Sequence, residues 1–86
     1  MKIVFHRDFH KRYARMQPSE QKRTDERIRI FQQNQFHPIL NNHALNHPYE
    51  GCRSINITGD LRAVFREITP DVVRFIIAGT HSELYE

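Results

Sequence analysis

Little in this chain can crosslink it or carry it through a membrane. One residue of 86, Cys52, is a cysteine, which excludes an intramolecular disulfide framework and fits a reducing compartment. No run of even eight apolar residues occurs, so neither a transmembrane helix nor a secretory h-region is expected, and the reading is a soluble, cytoplasmic protein. Repeats, low-complexity stretches and polar tails are also missing. At this length a fold buries roughly 60 to 65% of the surface its unfolded chain exposes. That leaves room for one domain over 1–86, with any site shallow and on the surface.

What the chain does have is an uneven charge. Residues 1–36 hold nine Lys/Arg against four acids, whereas residues 37–86 hold four Arg against six, for an overall +3. A basic half favours a polyanionic partner met through its phosphates, with a solvated helical face as the plain alternative.

Hydrophobic spacing sets the order of elements. Ile3, Val4 and Phe5 suit a short buried strand. From Arg7 the period changes: Phe9, Tyr13 and Met16 recur at helical spacing opposite Arg7, Lys11, Arg12 and Arg15. Pro18 closes that helix and opens a second, expected to run to about Gln35. Its stretch from Glu20 to Arg27 is wholly polar, so only Ile28, Ile30, Phe31 and Phe36 are expected to pack. The segment 37–51, with two prolines and three histidines, reads as an irregular loop. Three strands are predicted after it, over 52–58, 61–68 and 72–78, joined by turns short enough for antiparallel hairpins. The fold class is α+β, ordered β-α-α-β-β-β, with two N-terminal helices packed on a small antiparallel sheet. On the first hairpin strand, alternation puts Arg53, Ile55 and Ile57 on a core side and Cys52, Ser54, Asn56 and Thr58 on a wet side.

Hairpin geometry also gathers chemistry. With a turn centred near Pro70, Asp60 falls near Thr80 and Arg62 near Ala78. Asp60 and Arg62 share a face on a regular strand, and Gly79-Thr80 delivers His81 beside them, with Tyr85 a few residues on. The long loop can bring His43 or His47 to the same rim. An acid, a guanidinium and imidazoles are the groups that RNA phosphodiester cleavage requires. A base takes the 2′-hydroxyl proton, a cation stabilises charge on phosphorus, and an acid protonates the leaving 5′-oxygen. Such a mechanism calls for no metal and no cofactor. The competing uses are an ion pair or turn for Asp60 and Arg62 and a surface histidine for His81. Metal binding through His43 and His47, with His37, Cys52 or His81, is disfavoured because no second ligand pair has diagnostic spacing.

The motifs His43-Ala44-Leu45, Gly51-Cys52-Arg53-Ser54-Ile55, Gly59-Asp60-Leu61-Arg62-Ala63-Val64-Phe65 and Gly79-Thr80-His81-Ser82-Glu83-Leu84-Tyr85 together resemble the RelE/ParE superfamily of bacterial toxins, its YafQ branch above all. The likeness covers nearly the whole chain in element order. It implies the toxin of a type II toxin-antitoxin system, acting as a metal-independent, ribosome-dependent endoribonuclease on mRNA, and a cognate antitoxin that wraps it. The YafQ pattern falls on His43, Asp60 and His81, and the RelE pattern on Arg62 and Tyr85. Asn56 stands where the YafQ pattern has a further histidine, and an amide cannot shuttle protons near neutral pH; His47 is the possible substitute. The expected catalytic set is therefore His43, Asp60, Arg62 and His81, with His47, Arg53, Asn56 and Tyr85 binding substrate. Lys11, Arg12, Arg15, Lys22 and Arg23 are expected to meet ribosomal RNA, and the free protein is expected to be a monomer. Gyrase inhibition, as in the ParE branch, and non-catalytic nucleic-acid binding are the rival functions.

Overall fold

The computed structural model describes residues 1–85. Strand β1 (Lys2–Phe5) leads into helices α1 (Arg7–Arg15) and α2 (Pro18–Gln33), a single 3-10 turn (Pro38–Leu40), strands β2 (His43–Ala44), β3 (Arg53–Asn56), β4 (Leu61–Thr69) and β5 (Val72–Thr80), and a last short helix, α3 (His81–Tyr85). The expected α+β order is present, with β2 and α3 added to it.

Local chemistry explains both long helices. The His6 ring accepts the Asp8 N–H at 3.0 Å and so caps α1. In α2, Pro18 occupies the first turn, where no N–H is needed, and the Glu20 carboxylate accepts the Gln17 N–H at 3.0 Å. The polar stretch of α2 nevertheless packs. Thr24 is wholly buried, and Arg27 nearly so, because each polar head finds a carbonyl: Thr24 Oγ1 donates to Glu20 O at 2.8 Å and Arg27 Nη1 to Ile39 O at 3.1 Å. Phe36, expected to anchor the helix end, is instead 62% exposed.

The sheet order is β1-β5-β4-β3-β2, and the sheet is mixed rather than purely antiparallel. The three hairpin strands alternate in direction as expected, but β1 runs parallel to β5 with Lys2 beside Val72 and Phe5 beside Phe75. The helices carry the chain across one face to the far edge, so the last strand returns alongside the first in the same direction. The register of β4 and β5 also differs by one at the functional end: Leu61 faces Thr80 and Arg62 faces Gly79. A bulge on β5 at Ile76, between the pairs Val64–Ile77 and Phe65–Phe75, inserts the extra residue.

Two cores result, one on each face. Under α1 and α2 lie Phe9, Phe31, Leu40, Ile55, Ile57, Leu61, Ala63, Phe65, Val73, Phe75 and Ala78, with Phe31 edge-on to Phe65 at 4.9 Å and to Phe75 at 5.3 Å. On the opposite face Cys52, Val64 and Leu84 form a smaller cluster supported by Leu45, Tyr49, Ile76 and Ile77. The expected wet side of β3 is therefore covered at Cys52 and Ser54, because α3 folds back over it.

Candidate functional site

Where α3 crosses the sheet it leaves a cleft of about 180 Å3, lined by His43, Leu45, Ser54, Arg62, Val64, His81, Leu84 and Tyr85. The pairing of strands decides which side chains face it. His43 sits opposite Ser54, and Ser54 opposite Val64, so all three share a face; Arg62, two residues from Val64 on β4, points the same way.

Each polar group is held differently. Nδ1 of His43 lies 2.7 Å from Asn41 O; a carbonyl only accepts, so Nδ1 carries the proton and Nε2 of the neutral ring is left as an acceptor. Asn41 presents that carbonyl from a left-handed conformation, φ 47°, which asparagine tolerates better than most residues. Arg62 is half-buried, and its Nη1 donates to Thr58 O at 3.0 Å and Leu61 O at 3.3 Å, leaving the other guanidinium N–H groups for a ligand. His81 opens α3 and lies against the Tyr85 ring, centroids 4.8 Å apart at 32°. Tyr85 in turn meets Tyr49 edge-on at 5.4 Å.

Helix α3 is seated at both ends. The Glu83 carboxylate accepts the Thr80 N–H at 2.7 Å, while the Glu83 N–H donates to Thr80 Oγ1 at 3.3 Å, a reciprocal cap. The Thr80 N–H holds the Glu83 carboxyl below the usual range, with the Thr80 side chain and Arg12 adding to the effect and partial burial opposing it. A Cβ at position 79 would lie 2.9 Å from Arg12 Nη1 and 3.2 Å from Glu83 Cβ, so a side chain there would displace the Arg12 guanidinium and press on the first turn of α3. Beyond the cap, the Tyr49 hydroxyl donates to Leu84 O at 2.7 Å, and burial pushes its phenol above the ordinary value.

The residues singled out from sequence fall into four groups. His43, Arg62, His81 and Tyr85 line the cleft together. Asn56 faces Arg62 across the strands, and its Oδ1 is buried with no hydrogen-bond partner. Asp60, His47 and Arg53 lie outside the lining. Asp60 is exposed on the β3–β4 turn, its N–H donating to Thr58 Oγ1 at 3.3 Å, because the strand begins only at Leu61 and leaves it off the regular face. The His47 side chain is 90% exposed and lies 3.2 Å from the Glu50 carboxylate. Arg53 takes the opposite face, its Nε donating to Asn42 Oδ1 at 2.7 Å and its guanidinium 5.7 Å above the Phe36 ring. It braces the loop from behind. Lys11, Arg15, Lys22 and Arg23 are exposed on the helices, whereas Arg12 turns inward, with Nη1 3.4 Å from Ala78 O and 3.9 Å from the Glu83 carboxylate.

Ser54, Tyr49 and the Thr80–Glu83 cap escaped the sequence reading. Only the last had a signal, Thr-x-x-Glu ahead of an apolar residue. Among the described residues no cluster of three or more His, Cys, Asp or Glu is placed to hold a metal ion, and no helix is long and apolar enough to cross a membrane.

Comparison with known proteins agrees with this architecture. A family model described as the bacterial toxin of type II toxin-antitoxin system, YafQ, matches residues 1–86. The fold is shared with YafQ from E. coli strain BL21(DE3), at a TM-score of 0.83 and 18% identity over 99% of this chain and 98% of that one. It is shared with the E. coli DinJ-YafQ complex, at 0.68 and 19% over 99% and 98%, and with the RelB-RelE antitoxin-toxin complex from Methanococcus jannaschii, at 0.73 and 18% over 95% and 94%. No curated protein matches significantly by sequence.

Proposed function

This chain belongs to the YafQ family of toxins of type II toxin-antitoxin systems, and from that premise we propose that it is an endoribonuclease that cuts mRNA on the ribosome and thereby inhibits translation. The observation that carries the reading is the shared cleft of His43, Arg62 and His81. Two imidazoles and a guanidinium over one small hollow are what a metal-independent transesterification needs. The free Nε2 of His43 takes the proton from the 2′-hydroxyl. The 2′-oxygen then attacks phosphorus, forming the cyclic phosphate, as the bond to the 5′-oxygen breaks and His81 protonates that leaving oxygen. Arg62 offers its remaining N–H groups to the non-bridging oxygens, where charge grows. Tyr85 supplies a ring on which a base can stack, Asn56 an acceptor beside Arg62, and Asp60 a carboxylate at the rim that orients the incoming strand.

The exposed Lys11, Arg15, Lys22 and Arg23 form the surface for ribosomal RNA, on the face away from the cleft. The whole of 1–86 acts as one toxin domain in the cytoplasm, monomeric when free. A cognate antitoxin restrains it, as the solved DinJ-YafQ and RelB-RelE complexes suggest by analogy.

The test is induced expression in a bacterium of the wild type and of His81→Ala and Arg62→Ala, following growth and mapping mRNA 5′ ends. Growth arrest with new in-frame ends, both lost in the variants, is the expected result. Arrest without new ends would point instead to gyrase inhibition or simple binding.

A further inference from the structure

The sheet face that carries Arg62 does not end at the cleft. Along β4, Arg62, Val64 and Arg66 point to the same side, and Arg66 lies directly opposite Arg74 on β5, which in turn lies beside Val4 on β1. Both Arg66 and Arg74 are exposed. Two like charges directly opposite on neighbouring strands repel each other, and among the described residues neither is within 4 Å of a carboxylate. Of the acids adjacent in sequence, Glu67 follows Arg66 on the opposite face of β4, beside Val73, and Asp71 sits in the turn before β5, its carbonyl accepting the Lys2 N–H; Glu50 lies 3.2 Å from His47 and Asp8 3.6 Å from His6. Beyond Arg74 an open hollow is lined by Val4, Phe5, His6, Arg7 and Arg74, at the N-terminal end of α1, where the helix dipole adds to the positive potential. Repulsion of this kind is relieved by a bound anion.

We propose that Arg66, Arg74 and Arg7 form a phosphate-binding track for single-stranded RNA, continuing from the cleft across the sheet toward β1. The inference rests on the ribonuclease reading for the identity of the strand. Arg62 and Arg66 are four residues apart, on the order of 13 Å along the strand, so the track engages phosphates a few nucleotides from the scissile one. Between them lies Val64, in the cluster against which Tyr49 packs, and the Tyr49 ring, edge-on to Tyr85 of the cleft, gives the intervening bases a surface to lie on. The track reads no sequence; it lengthens the footprint and fixes direction.

Arg66 also supports the loop, since its Nη2 donates to Glu50 O at 3.0 Å. The clean variant is therefore Arg74→Gln, with Arg66→Gln Arg74→Gln as the stronger one. The purified proteins are titrated with fluorescent single-stranded RNA of about four and about sixteen nucleotides over a range of salt, and the same RNAs are assayed for cleavage. The wild type should prefer the longer RNA, and the double variant should lose about tenfold in affinity for it at low salt and none for the shorter. The logarithmic salt slope should shrink by about 0.7 for the single and about 1.4 for the double variant, and the melting temperature of Arg74→Gln should stay the same or rise. Any cleavage of the longer RNA should show a raised KM at constant kcat. No preference for length, or an unchanged slope in the variants, overturns the track; so does a variant that loses only affinity for an acidic protein partner. A wild type that binds through Arg74 yet cuts neither these RNAs nor mRNA in cells sinks the ribonuclease reading and leaves the track standing.

Discussion

Glu83 and Thr80 hold each other reciprocally, carboxylate to backbone N–H at 2.7 Å and backbone N–H to hydroxyl at 3.3 Å, and that closed pair sets the direction in which His81 leaves the sheet. Because the bond favours the ionised carboxylate, the folded pKa lies below the unfolded one. The stabilisation is present above the unfolded pKa and is lost as pH falls through the folded pKa. Glu83→Gln should therefore cost about 0.5 kcal/mol or less near neutral pH, the half-exposed carboxylate being screened by solvent, and almost nothing in strong acid. Urea melts of both proteins across the acidic range check this; a pH-independent difference would assign the effect to packing.

His43 offers a direct probe of the proton step. With Nδ1 committed to Asn41 O, His43→Gln keeps a hydrogen-bonding side chain at the cleft but removes the titratable nitrogen. Cleavage should fall about 10² to 10⁴-fold while RNA binding changes little. Single-turnover kinetics with a parallel binding titration separate the two, and an equal loss in both would make His43 a binding group.

Tyr49 is expected to act on the site from a distance. Tyr49→Phe preserves the ring against Tyr85 but removes the donor to Leu84 O, so stability should drop by about 1 kcal/mol. Amide hydrogen exchange over α3 should quicken more than exchange in β4. Uniform acceleration across the chain would show a global effect rather than a local clasp.

The helix-side core gives the largest expected loss. Phe31 is fully buried and touches both Phe65 and Phe75 edge-on, and Phe31→Ala should cost about 3 to 5 kcal/mol. For so small a domain that is most of its stability. Thermal denaturation followed by circular dichroism measures it.

Spacing alone foretold the two helices and three hairpin strands, because each carries a clean apolar period or a proline at its start. It also grouped Arg62, His81 and Tyr85 with a loop histidine. It missed where local geometry departs from regularity. The bulge at Ile76 shifts the register by one, and nothing in Phe75-Ile76-Ile77 marks which residue is extra. Asp60 falls off the strand because the Thr58 hydroxyl holds the turn, a contact visible only once the backbone bends. Arg53 alternates onto the helix face as expected, but alternation carries no sign that Asn42 and Phe36 engage its guanidinium there. The burial of Thr24 and Arg27 was hidden for a similar reason: polar residues in a core reveal themselves by their partners, and those partners lie in other segments.

The parallel pairing of Lys2–Phe5 with Val72–Phe75 also governs how the molecule assembles. It joins segments separated by some seventy positions, a closure that is slow relative to the hairpins made by neighbouring strands. During synthesis α1 and α2 emerge with Phe9, Tyr13 and Phe31 facing nothing, since every strand they cover except β1 is made later. The nascent chain therefore carries a sticky amphipathic half through most of its translation, and arrival of the final strand converts it, late and all at once, into a folded domain with its cleft assembled.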